Sequence, residues 1–110
     1  MKLECAERIS HKNVTEEQLR EAFRNDKARG EFIILSQDDQ HYIQASGECE
    51  GPYDLEYRDG GNDQHFRAAG EFTKEQVEQV FVRYFKNDQW RTACRWEQLN
   101  LKTKPWWKFW

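Results

Sequence analysis

What this sequence lacks narrows it first. No CxxC pair occurs among its three cysteines, Cys5, Cys49 and Cys94, which stand 44 and 45 residues apart; that excludes a zinc ribbon and a thioredoxin-like redox motif. An odd, widely spaced set of thiols fits a reducing compartment and argues for free cysteines in the cytoplasm. There is no stretch near eighteen apolar residues, so no membrane-spanning helix is expected. The start, Met1-Lys2-Leu3-Glu4-Cys5-Ala6-Glu7-Arg8, carries charges where a signal peptide needs an apolar core. At 110 residues, with only two prolines, the chain is one domain's worth and too short for a barrel enzyme or a two-domain dinucleotide fold.

Charge is short of one sign in two places. Residues 38–63 hold eight acids (Asp38, Asp39, Glu48, Glu50, Asp54, Glu56, Asp59 and Asp63) against a single Arg58, and from Arg83 onward seven Lys and Arg face only Asp88 and Glu97. An acidic chain of net charge −3 with no basic stripe along its body argues against nucleic-acid binding, because phosphate neutralisation supplies most of that affinity. An acidic middle instead attracts a basic protein partner, or is a set of solvated strands and turns.

What is abundant is aromatic. Hydrophobic residues make up 37% and charged residues 34%, yet there are five Trp, four Tyr and seven Phe, so a modest core must be built from large side chains. Two segments share one grammar: Val14-Thr15-Glu16-Glu17-Gln18-Leu19 and Phe72-Thr73-Lys74-Glu75-Gln76-Val77. Thr caps each helix, Gln three residues on reaches back, and the apolar residue before the cap staples onto the fourth helical residue. Leu19, Ala22 and Phe23 then mark one buried face, and Val77, Val80, Phe81, Tyr84 and Phe85 a stronger one. Helix ends are expected near Asn25, no later than Gly30, and at Asn87-Asp88.

Between the helices, runs of period two are separated by turn residues. Residues 31–36 are apolar on both faces and belong inside a sheet. Residues 41–46, 53–58 and 64–69 follow, with Gly60-Gly61 in a hairpin loop. Residues 2–9 and 92–99 are weaker strand candidates. Short turns mean an antiparallel meander, and two amphipathic helices need a surface to cover. The expected fold is α+β: an antiparallel four- to six-stranded meander sheet with two amphipathic helices packed on one face. It forms a single domain over residues 1–101, followed by a Trp/Lys-rich tail over 102–110.

No catalytic constellation is expected. Glu48 and Glu50 flank Cys49 and would raise its thiol pKa. His11, His41 and His65 lack the i, i+4 spacing of a metal-binding helix, and there is no GxGxxG, P-loop or GxSxG. No cofactor or metal is therefore expected. The outward face of the sheet is the first candidate site: in the simple hairpin register Glu56 and Arg58 lie near His65 and Arg67, with Tyr42 and Gln44, or else His41, extending the strip. The plain alternative is a set of cross-strand charge pairs in water.

The tail, Lys102-Thr103-Lys104-Pro105-Trp106-Trp107-Lys108-Phe109-Trp110, places four aromatics and three bases in nine residues. It reads as a strap over its own sheet or across a second copy, as an interfacial peptide, or as a frayed end.

Tyr42-Ile43-Gln44, Tyr53 to Gly60, His65-Phe66-Arg67-Ala68, Phe81, Tyr84 and Trp96 together resemble a pattern in small bacterial proteins, some similar to immunity proteins of contact-dependent toxin systems and others to products of integron gene cassettes. The resemblance spans about residues 31–97 and implies a fold and no catalytic residue. The expected function is non-enzymatic protein–protein contact, with Asp54, Glu56, Arg58, Asp59, His65 and Arg67 toward a basic partner and Trp106, Trp107, Phe109 and Trp110 as a self-interface in a homodimer. The alternative class is a small-ligand binder or minor enzyme whose pocket between sheet and helices is lined by Tyr42, Tyr57, His65 and Arg67.

Overall fold

Both capping signals form as reciprocal boxes. In the computed structural model, which describes residues 1–6, 10–25, 31–47, 52–61 and 64–98, the Gln18 N–H donates to Thr15 Oγ1 at 3.1 Å and the Thr15 N–H donates to Gln18 Oε1 at 3.0 Å. The same exchange joins Thr73 and Gln76 at 2.9 and 3.2 Å. These caps satisfy N–H groups that the first turn leaves without partners. Helix α1 spans Glu16–Arg24 and α2 spans Lys74–Lys86. Helix α1 closes at Asn25, before Gly30, which lies outside the described residues. Helix α2 closes on Asn87 in the left-handed conformation at φ 55°, its N–H turned back to the Arg83 and Tyr84 carbonyls.

The strands are β1 (Lys2–Cys5), β2 (Ser10–His11), β3 (Phe32–Asp38), β4 (His41–Gly47), β5 (Tyr53–Asp59), β6 (His65–Ala68) and β7 (Trp96–Gln98). They form one antiparallel sheet in the order β2-β1-β3-β4-β5-β6-β7. The architecture is α+β as expected, but the sheet has seven strands among the described residues rather than four to six. The surplus lies at the edges: β2 has two residues and β7 has three, too few positions for alternation to be read from sequence. Pairing fixes them instead, through Leu3↔His11 on one side and Ala68↔Trp96 on the other. Trp96 therefore belongs to a strand, and residues 90–93 before it form a turn of 3-10 helix. Gly47 closes β4 where a Cβ would sit 2.5 Å from the Pro52 carbonyl oxygen, so no larger residue fits.

Alternation divides the sheet into two faces. On the first, Leu3, Ile33, Leu35, Ile43, Ala45, Leu55 and Tyr57 are buried beneath both helices. Phe23 of α1 meets Phe81 of α2 edge to face, with centroids 5.2 Å apart. At the other end Tyr57 is the hub of an aromatic cluster, stacked on Phe66 at 4.8 Å and met edge-on by Trp90 and Trp96, each at 4.7 Å. Such pairs add about 0.5–1.5 kcal/mol each beyond the area they bury. Outside the helix pair, Arg20 bridges Glu16 of its own helix at 3.1 Å and Glu78 of α2 at 3.3 Å. The tail over 102–110 lies outside the described residues.

Candidate functional site

On the second face the strands β4, β5 and β6 bring a polar group together by register. Gln44 stands opposite Glu56 and Tyr42 opposite Arg58; across the next pairing Glu56 stands opposite Arg67 and Arg58 opposite His65. Of the two ways to extend the strip onto β4, the structure has Tyr42 and Gln44, while His41 falls on the other face. Period two does this without further help: one residue of slip would send every one of these side chains inward.

The contacts are diagonal as well as direct. Glu56 accepts from His65 Nε2 at 2.9 Å and from the Gln44 amide at 3.4 Å. Arg67 donates to Asp54 at 2.5 Å, and that carboxylate raises the guanidinium's already high pKa. The Tyr42 ring meets the His65 ring edge-on at 6.2 Å. Burial pushes the Tyr42 phenol above its usual pKa, with Arg58 opposing and Glu56 adding to the rise. Exposure within this group is uneven. Asp54 and Arg67 leave 52% and 51% of their side chains in water, whereas His65 leaves 4% and Glu56 14%.

Asp59 departs from the other five expected contact residues. It lies at the end of β5 on the first face and receives Arg91 at 2.5 Å. With Gln37, His41, Tyr84, Trp90 and Arg91 it lines an open cleft of about 370 Å³ at the C-terminal end of α2. The Arg91 guanidinium lies over the Trp90 ring, 5.0 Å from its centroid. Gln37 donates to the Tyr84 hydroxyl at 3.4 Å, and burial pushes that phenol up to about 12. His41 holds Asp38 at 2.8 Å, and this bond, with one from the Gln40 N–H, keeps the Asp38 carboxyl below its ordinary pKa. Two non-glycine residues with positive φ, Asn87 and Gln89, turn the chain at the cleft wall.

The four residues expected to line a ligand pocket do not converge. Tyr57 is buried on the first face, whereas Tyr42, His65 and Arg67 occupy the second, because Tyr42 and Tyr57 differ in strand parity. His65 is also corrected from a surface residue to a buried one, 3% exposed. The cleft was not legible in the sequence, since its walls come from chain segments far apart; the adjacent pair Trp90-Arg91 was its only local signal. Among the described residues no group of three His, Cys, Asp or Glu side chains stands close enough to hold a metal ion. Cys94 is a free thiol, and burial raises its pKa, which makes it a poor nucleophile. Cys49 and the aromatic residues Trp106, Trp107, Phe109 and Trp110 lie outside the described residues. No helix among the described residues is long and apolar enough to cross a membrane.

Comparison of the chain with family models, curated proteins and solved structures gave no match, and the functional reading is argued from the geometry above.

Proposed function

We propose that the chain is a small non-enzymatic binding protein of the cytoplasm that acts by protein–protein contact, through the second face of its sheet. The observation that carries the reading is the pairing of exposed charges there. Asp54 and Arg67 form an ion pair more than half exposed on both sides, and such a pair contributes only about 0–1 kcal/mol in water. A partner's lysine or arginine therefore exchanges into it at little cost, while the register of β5 and β6 keeps the acceptors in place. The sharper form is an immunity-protein-like role, in which Asp54 and Glu56 meet a basic enzyme, while Asp59, on the first face, stays outside that contact. The aromatic tail is the self-contact element, on its own sheet or on a second copy in a homodimer.

Capture from the native host tests this reading. Wild-type chain is expected to retain a basic protein that Asp54→Arg loses while its melting temperature stays unchanged. Retention of no basic protein, or equal retention by both, contradicts it.

The cleft beside Tyr84 and Trp90 favours a second reading, a small-ligand site, because its volume lies within the usual range for ligand pockets. A fragment screen followed by amide chemical shifts separates the two: ligands that move Gln37, Tyr84 and Arg91 support the cleft, and none doing so removes it.

A further inference from the structure

The cleft at the C-terminal end of α2 has charged walls whose charges are already matched. Asp59 holds Arg91 at 2.5 Å, and Asp38 holds His41 at 2.8 Å. Arg58 borders the cleft from β5, yet strand parity turns its side chain to the second face, opposite Tyr42 and His65. What remains on the walls is neutral hydrogen-bonding chemistry. Gln37, Asn87 and Gln89 contribute three carboxamides, each able both to donate and to accept. The Tyr84 hydroxyl, which the Gln37 amide reaches at 3.4 Å, adds a group of the same double kind.

We infer that this cleft binds a purine or pyrimidine base, free or as its nucleoside, with the base stacked on the Arg91 guanidinium and its edge read by the carboxamides of Gln37, Asn87 and Gln89. The inference rests on the small-ligand reading of the cleft and gives it a ligand class. It does not depend on partner contact at the second face.

The first support is a stacking platform. The Arg91 guanidinium lies over two rings, 5.0 Å from the Trp90 centroid and 5.5 Å from that of Tyr57, while the side chain stays 53% exposed. One plane is therefore packed on the protein and the other is open. A guanidinium held in this way is a flat surface of the kind on which bases stack. Its pairing with Asp59 fixes its position and offsets its charge, so that flatness is what it offers a ligand.

The second support is the backbone that carries the carboxamides. Asn87, left-handed at φ 55°, closes α2 by returning its N–H to the helix. Gln89 is left-handed as well, at φ 49°, a conformation that Asn tolerates and Gln rarely takes. It precedes the 3-10 turn at Trp90 without a side-chain cap bond, so capping does not account for it. Strained non-glycine residues collect where a ligand is gripped, and this one brings a carboxamide to the cleft wall beside the Arg91 plane.

The third support is size and charge. The cleft of about 370 Å³ has room for a base and its sugar, toward the small end of the roughly 300–1,000 Å³ usual for ligand sites. Asp59 lines it and Asp38 stands against its His41 wall, so a phosphate would meet like charge. An apolar ring would take water from the carboxamides and return no hydrogen bond. An uncharged base with donors and acceptors along one edge meets both conditions.

The test titrates the full chain with adenosine, guanosine, cytidine and uridine and follows NMR shifts. At least one nucleoside is expected to bind with a dissociation constant of about 1 mM or tighter, moving Gln37, Tyr84, Gln89 and Arg91 and sparing Asp54 and Arg67. Its 5′-monophosphate should bind about threefold more weakly or worse. Arg91→Leu removes the platform and should weaken binding about tenfold. Gln89→Gly should weaken it about fivefold without lowering the urea midpoint, because glycine takes a positive φ freely; this variant decides if Arg91→Leu fails to fold. Undiminished binding by Gln89→Gly overturns the inference, as does the failure of every nucleoside to move the cleft residues. Benzoate and benzamidine, planar but charged, then separate the two levels. If either moves those residues where no nucleoside does, the cleft is a ligand site of another class and only the inference falls; if neither does, both fall. Equal or tighter binding of the monophosphate, or binding of an oligothymidine strand alone, would assign the cleft to a phosphate-bearing ligand and overturn the inference equally.

Discussion

The two faces of the sheet are made from alternate residues of the same strands, yet they do opposite work. Beneath the helices, Leu55 and Tyr57 are buried among apolar and aromatic neighbours, and each large side chain buried there contributes roughly 1.5–3 kcal/mol. Before and between them along β5, Asp54 and Glu56 point the other way into an ion pair with Arg67 and contacts with Gln44 and His65, where exposed pairs contribute about 0–1 kcal/mol. The stability of the fold is therefore concentrated on one face. The rim of the second face, at Asp54 and Arg67, can change its charges with little risk of unfolding, which is the property a contact surface needs.

The largest break in that contrast is expected from Phe81→Ala. Phe81 is fully buried and packs on Phe23, and truncation should cost about 3–5 kcal/mol, read as a fall in the urea midpoint. A smaller loss, about 1–3 kcal/mol, is expected from Glu56→Ala, because it removes the carboxylate bonded to His65 Nε2 and leaves a buried imidazole unmatched among the described residues. That effect, measured in the same way, would show that the second face has a structural centre inside a tolerant rim. At the rim, a double-mutant cycle over Asp54→Ala and Arg67→Ala should give a coupling below about 1 kcal/mol. The coupling should shrink further in high salt, as exposed pairs are screened.

The smallest effect concerns pH. Burial raises the Tyr84 phenol from 10.0 to about 12. A group whose folded pKa is raised contributes stability below its unfolded pKa and loses it as pH climbs through the folded value. This contribution is thus complete below pH 10 and disappears toward pH 12. In a spectrophotometric titration the phenol that ionises near pH 12 should be absent from Tyr84→Phe.

Local chemistry was readable in the sequence where it repeats over short distances. The Thr15 and Thr73 caps, the alternation along β5 and the Glu56–Arg67 and Arg58–His65 pairings all depend on spacings of a few residues. The edge strands β2 and β7 were not readable, because two or three residues hold no period and become strands only by pairing with β1 and β6. The cleft was hidden for a related reason: Asp59 and Arg91, 32 residues apart, meet only after α2 has packed. His65 shows the limit of alternation itself. Parity places it on the second face correctly but says nothing of how deeply that face is covered.

The claim that the second face makes the contact and the first holds the fold is tested most directly by carboxyl footprinting of the chain with and without its captured partner. The account predicts that labelling of Asp54 and Glu97 falls on binding, while Asp38 and Asp59 beside the cleft change little by comparison. Protection confined to Asp38 and Asp59, with Asp54 labelled as before, would contradict it.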